Sequence, residues 1–138
     1  MVEITTTSEA ETEAAAMQLA AELRPGDWVR LSGELGAGKT VFARGLLRGL
    51  GVRSPVRSPT FTLMNVYEGV HPVVHADLYR LEPAQAEGLG WEDYTADHVL
   101  IVEWADRFPP NATQGREFMV ELLVEGEARR IRIARPEG

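Results

Sequence analysis

The chain has 138 residues, 44% of them apolar, and a formal charge of −7, which suits one domain with a real core and leaves no room for two. It has no cysteine, so disulfides and thiolate metal sites are excluded, and no apolar run approaches the roughly 20 residues of a membrane helix. The acidic balance argues against gripping nucleic acid over a broad surface.

The N-terminus Met1-Val2-Glu3-Ile4 lacks a signal-peptide pattern, so a cytoplasmic protein is expected. His71, His75 and His98 show no metal-ligand spacing. Val2 to Thr6 is β-prone. Ser8-Glu9-Ala10-Glu11 is a capping-box pattern, followed by Ala16, Leu19, Ala20 and Leu23 at helical spacing. Pro25-Gly26-Asp27 ends that helix, and Trp28-Val29-Arg30-Leu31 reads as a buried strand.

Next comes Gly33-Glu34-Leu35-Gly36-Ala37-Gly38-Lys39-Thr40, of the form G-x-x-x-x-G-K-[ST], the phosphate-binding loop of nucleotide triphosphatases. Glycines allow backbone N–H groups to close around a polyphosphate. Lys39 would bring a cation to the β- and γ-phosphates, and Thr40 a hydroxyl to Mg²⁺. Lys39 is the only lysine beside thirteen arginines; a compact ammonium on a flexible stem suits a phosphate cradle. Thr40 to Leu50 reads as a helix, and Val41, next after the loop, is counted with Gly33 to Thr40 as nucleotide-binding. Phe42, Ala43, Leu46, Leu47 and Leu50 share one face, and Arg44 and Arg48 lie opposite.

Gly51 to Thr60, with two Ser-Pro steps, reads as irregular and exposed. Phe61 to Tyr67 and Val73 to Tyr79 read as an antiparallel hairpin turning at Glu68 to Pro72, so a mixed sheet is expected. Glu82 to Gly90 reads as a short helix, and His98 to Glu103 is an apolar run ending in a carboxylate. In nucleotide triphosphatases a strand beside the loop strand delivers an acid to the Mg²⁺ region; here that acid is Glu103, in direct contact or through water. Phe108-Pro109-Pro110-Asn111 breaks the chain. Glu117 to Val124 and Arg129 to Ala134 form a closing hairpin around Glu125-Gly126-Glu127.

Four pieces together, Gly33 to Thr40, Ser58-Pro59-Thr60-Phe61, His75-Ala76-Asp77-Leu78-Tyr79-Arg80-Leu81 and Val102-Glu103-Trp104, resemble the TsaE (YjeE) family over nearly the whole chain. The resemblance implies an α/β fold: a P-loop, three-layer domain over 1–138 with a mixed central sheet and a C-terminal β-hairpin. It also implies a Mg²⁺-dependent ATPase, weak alone, supporting threonylcarbamoyl-adenosine modification of tRNA. TsaB and TsaD would be its partners, tRNA would be reached only through them, and no membrane is involved. A small-molecule kinase or a non-catalytic, nucleotide-dependent adaptor are the other readings.

The remaining candidates each carry two readings. Thr60 resembles the switch threonine of GTPases, or is a strand-entry residue of good β propensity. Asp77, costly in an apolar strand if unpaired, orients water or Mg²⁺, or forms a salt bridge with Arg80. His75 should share its face and reads as a structural hydrogen-bonding histidine, ahead of a catalytic one. Trp104 walls the nucleotide site or packs in the core. Arg129 reaches the nucleotide from the last hairpin or is a solvated strand residue. Seven acids and no Lys or Arg lie between Arg80 and Arg107, while Arg44, Arg48, Arg53 and Arg57 form a basic run into the Ser-Pro loop. Such bipolarity suits docking on a protein partner, although solvated surface explains it too. Partner-gated hydrolysis through Ser54 to Phe61 is the expected mode of control.

Overall fold

A computed structural model of the chain describes residues 1–34, 36–56, 64–79, 81–104 and 115–136. Strand β1 (Val2–Thr6) leads into helix α1 (Glu9–Ala20), strand β2 (Trp28–Ser32) and helix α2 (Lys39–Gly49). Strands β3 (Met64–Tyr67) and β4 (Val73–Asp77), the short helix α3 (Pro83–Glu87), a 3-10 turn at Trp91–Asp93 and strand β5 (Val99–Glu103) follow. Strands β6 (Glu117–Glu125) and β7 (Ala128–Ala134) complete the order. The expected run Phe61 to Tyr67 is seen as β3 from Met64 onward; residues 57–63, with Thr60, lie outside the described residues, as do Leu35 and Arg80.

All seven strands form one sheet in the order β1-β7-β6-β2-β5-β4-β3. Strand β2 runs parallel to both β5 and β6, and β4 runs parallel to β5. The three remaining pairs are antiparallel, so the sheet is mixed, as expected. Alternation along the strands sends side chains to two cores. Val29, Leu31, Ile101, Phe118 and Leu122 face α1 and α2. Trp28, Val74, Ala76, Leu100 and Val102 face Ala86 of α3 and Trp91 of the 3-10 turn. Helices thus cover both faces of the sheet, giving the three layers.

Local chemistry explains the element ends. Ser8 Oγ caps α1 by accepting the Glu11 N–H at 3.1 Å. The returning arm of the capping box goes one residue further out than the motif implies: Glu11 Oε1 accepts the Thr7 N–H at 2.7 Å. At the start of β2, the buried Asp27 carboxylate takes two hydrogen bonds from the Arg116 guanidinium, at 2.9 and 2.7 Å, and one from the Arg24 N–H. That fork ties β2 to the segment entering β6, and Trp28 N then bonds to Arg116 O.

The apolar face expected for α2 is buried, and each large aliphatic side chain so buried contributes about 1.5–3 kcal/mol. Arg44 and Arg48 are not simply solvated, because both pair with Glu13 of α1. The two helices approach closely at Gly45, where an added Cβ would lie 2.5 Å from Glu13 O and 2.7 Å from Ala16 Cβ. Helix α3 is shorter than the expected Glu82 to Gly90, and β4 ends at Asp77 rather than Tyr79. Asp77 itself explains the second difference: its Oδ1 accepts the Tyr79 N–H at 3.0 Å and turns the chain out of the sheet.

Candidate nucleotide and metal site

The parallel strands β4, β5 and β2 end side by side, and the register sets Asp77 opposite Glu103 and Glu103 opposite Leu31. The glycine loop leaves β2 at this same edge. Open α/β sheets bind ligands at the carboxyl ends of parallel strands. Odd-numbered residues of β4 and β5 point toward α2, so His75, Asp77 and Glu103 all lie on the helix side.

The loop is shaped by contact as well as conformation. Gly33 has φ 144° and sits so close to β6 that a Cβ would stand 2.5 Å from Leu122 O. Gly38 caps α2 without a side-chain hydrogen bond, leaving the first-turn N–H groups available to an anion. Lys39 Nζ folds back on the loop, donating to Gly33 O and, at 3.1 Å, to Glu34 O. It also lies 4.0 Å from the centroid of the Trp104 ring, a cation–π distance. Trp104 has φ 57°, unusual for a bulky residue. The turn lays its ring against Lys39 and 4.7 Å from the Tyr79 ring. It walls the cleft, while also packing at the edge of the second core.

Around the cleft of about 310 Å³ stand Gly36, Gly38, Lys39, Thr40, Val41, Asp77, Glu103 and Trp104. Thr40 Oγ1 donates to Glu103 Oε1 at 3.4 Å. Glu103 is buried, and its second oxygen lies 2.6 Å from His75 Nε2. Asp77 is half-buried. Burial pushes its carboxyl above the usual range; the Tyr79 N–H opposes that, and neighbouring Glu103 adds to it. The oxygen donors are few and hard, and no group of three or more metal-ligating side chains exists among the described residues. Such a donor set fits Mg²⁺, which takes one or two protein oxygens and completes its shell with water and phosphate.

Gly36, Gly38 and Val41 also line a second cleft of about 300 Å³ with Thr7, Ser8, Glu9, Thr12, Glu127 and Arg129. Arg129 reaches the loop from β7, donating to Gly36 O at 3.3 Å. Beneath, the buried hydroxyls of Thr6 and Thr12 share a 2.7 Å hydrogen bond. Thr7, Ser8, Glu9, Thr12 and Glu127 are absent from the candidates drawn from sequence. The capping box marked where α1 begins, but nothing local to it said that this end abuts the glycine loop.

A family model described as threonylcarbamoyl adenosine biosynthesis protein TsaE matches residues 6–132. The tRNA threonylcarbamoyladenosine biosynthesis protein TsaE of Bacillus subtilis is 44% identical over 108 residues, 77% of this chain and 68% of that protein. The protein of that name from Aquifex aeolicus is 34% identical over 137 residues, 96% of each chain. The crystal structure of Bacillus subtilis YdiB matches with a TM-score of 0.80 at 31% identity, covering 99% of this chain and 86% of the other.

Proposed function

The chain belongs to the TsaE family of threonylcarbamoyl adenosine biosynthesis proteins, and on that premise we propose that it is the ATP-driven component of tRNA threonylcarbamoyl-adenosine modification. In this reading it binds ATP with Mg²⁺, hydrolyses it slowly alone, and works with TsaB-like and TsaD-like partners that carry the contact with tRNA. The observation that carries the reading is the convergence of Lys39, Thr40, Asp77 and Glu103 on one cleft at the carboxyl edge of the parallel strands.

Each residue has a task that follows from its chemistry. Loop N–H groups and Lys39 hold the polyphosphate, which requires Lys39 Nζ to exchange loop carbonyls for phosphate oxygens. Thr40 and Glu103 would hold Mg²⁺, which supplies charge neutralisation at the β- and γ-phosphates. Asp77, facing the same cleft, orients water. Trp104 keeps the Lys39 side of the cleft dry, and Arg129 with the α1 end encloses the nucleoside side.

The test is calorimetric binding of ATP with MgCl₂ and with EDTA, followed by hydrolysis with and without the TsaB-like and TsaD-like proteins. Mg²⁺-dependent binding and faster turnover with partners are expected. A partner that raises ATP affinity must itself bind more tightly in the presence of ATP, by the same factor. Absence of ATP binding by the folded chain overturns the reading.

A further inference from the structure

His75 is fully buried, and among the described residues its ring makes one hydrogen bond, from Nε2 to Glu103 Oε2 at 2.6 Å. Its Nδ1 is also buried and has no partner among the described residues. A carboxylate that ligates a metal is ionised and only accepts hydrogen bonds, so on the Mg²⁺ reading the proton between the two groups belongs on Nε2. A proton on Nδ1 instead would leave a buried donor unpaired and set two acceptors against each other. The other oxygen of Glu103 faces the Thr40 hydroxyl at 3.4 Å. The carboxylate is therefore held at both ends, by strand β4 on one side and by the first turn of α2 on the other.

We propose that His75 is a positioning residue, whose Nε2–H locks the Glu103 carboxylate in the rotamer that presents Oε1 to Thr40 and to the Mg²⁺ position. The inference rests on the Mg²⁺–nucleotide reading above. The geometry explains why a histidine occupies this place. On a strand two residues before Asp77, its ring is long enough to reach Glu103 from the position opposite Ile101. The rigid imidazole has one donor there and no freedom to swing into the cleft. Carboxylates that ligate a metal are oriented by such hydrogen-bonded neighbours, and removing one costs about 10–100-fold in metal affinity. A mutually satisfied core pair would share this geometry, so the experiment separates positioning from stability.

His75→Gln places an amide N–H where Nε2 stands; His75→Leu removes the donor, and His75→Asn holds its amide too short to reach Glu103. For each full-length chain, the affinity of a non-hydrolysable ATP analogue is measured in EDTA and across a MgCl₂ series, alongside thermal melting. The expected result is a Mg²⁺ midpoint raised about 10–100-fold in His75→Leu and His75→Asn, unchanged affinity in EDTA, and recovery in His75→Gln. An unshifted Mg²⁺ midpoint in either folded donor-less variant overturns the inference, even if the melting temperature falls. On the wild-type chain without any ligand, two-bond ¹H–¹⁵N spectra should find the His75 proton on Nε2; its absence there overturns the inference independently. Failure of the wild type to bind the analogue in a Mg²⁺-dependent way is a different result, and it removes the parent reading together with this one.

Discussion

The two clefts that share Gly36, Gly38 and Val41 are assembled in opposite ways. The cleft holding Thr40 and Glu103 draws its walls from the loop, the turn of helix after it and the ends of two neighbouring parallel strands. The cleft holding Thr7 and Arg129 draws its walls from both ends of the chain, brought together because β1 pairs with β7 and β7 with β6. In the first, polar groups are paired with one another, Thr40 of the helix with Glu103 of β5, and Glu103 across the sheet with His75 of β4. In the second, helix α1 supplies hydroxyls at its capped end, and Arg129 reaches the loop backbone. On the function proposed above, the difference gives the clefts distinct tasks, cation-dependent chemistry in one and enclosure of the rest of the nucleotide in the other.

The largest effect should come from Lys39→Ala. A hydrogen bond to a charged group contributes about 1.5–3 kcal/mol, so ATP affinity should fall roughly 10- to 150-fold. Calorimetry on a chain with unchanged circular dichroism checks it; wild-type affinity would break the assignment of the first cleft.

Gly33→Ala strains the start of the loop whose later residues line both clefts, because its Cβ would meet the backbone of Leu122 rather than a flexible side chain. Overpacking costs about 1–3 kcal/mol, read as a lower melting temperature. Gly36→Ala is the control: it has φ 82° and open space around it, so it carries conformational strain of about 1–2 kcal/mol without the clash.

Arg129→Ala should separate the clefts further. The loss expected is about 0.5–1.5 kcal/mol of nucleotide affinity, equal with MgCl₂ and with EDTA, whereas Glu103→Ala should act only when Mg²⁺ is present. A Mg²⁺-dependent loss in Arg129→Ala would merge the two clefts into one.

The smallest effect concerns Asp77. Burial raises its carboxyl above the usual range in the folded state, so the folded chain binds that proton more tightly than the unfolded one. Stability then falls as pH rises through the window that starts near the ordinary Asp value of about 4. Asp77→Asn keeps an oxygen for the Tyr79 N–H and removes the charge. It should melt slightly higher than wild type at pH 7, with the advantage vanishing below about pH 4. A melting temperature below wild type at pH 7 would mean that the charge is stabilising.

The features legible in the chain before folding are local in origin. The glycine loop, the Lys39–Thr40 pair and the apolar faces of α1 and α2 follow from residues within a few positions of one another, and so does the acid closing β5. Asp77 and His75 share a face because alternate strand residues must. Three other features came into being only with the assembled sheet: β6 lies parallel to β2, β1 closes on β7, and Thr7, Thr12 and Glu127 come to the loop. Strand pairing between distant segments depends on which edges the completed sheet leaves open, and periodicity alone does not encode a partner. The same holds for His75: its sequence position announced a strand face, but the hydrogen bond to Glu103 exists because β4 and β5 lie in one register.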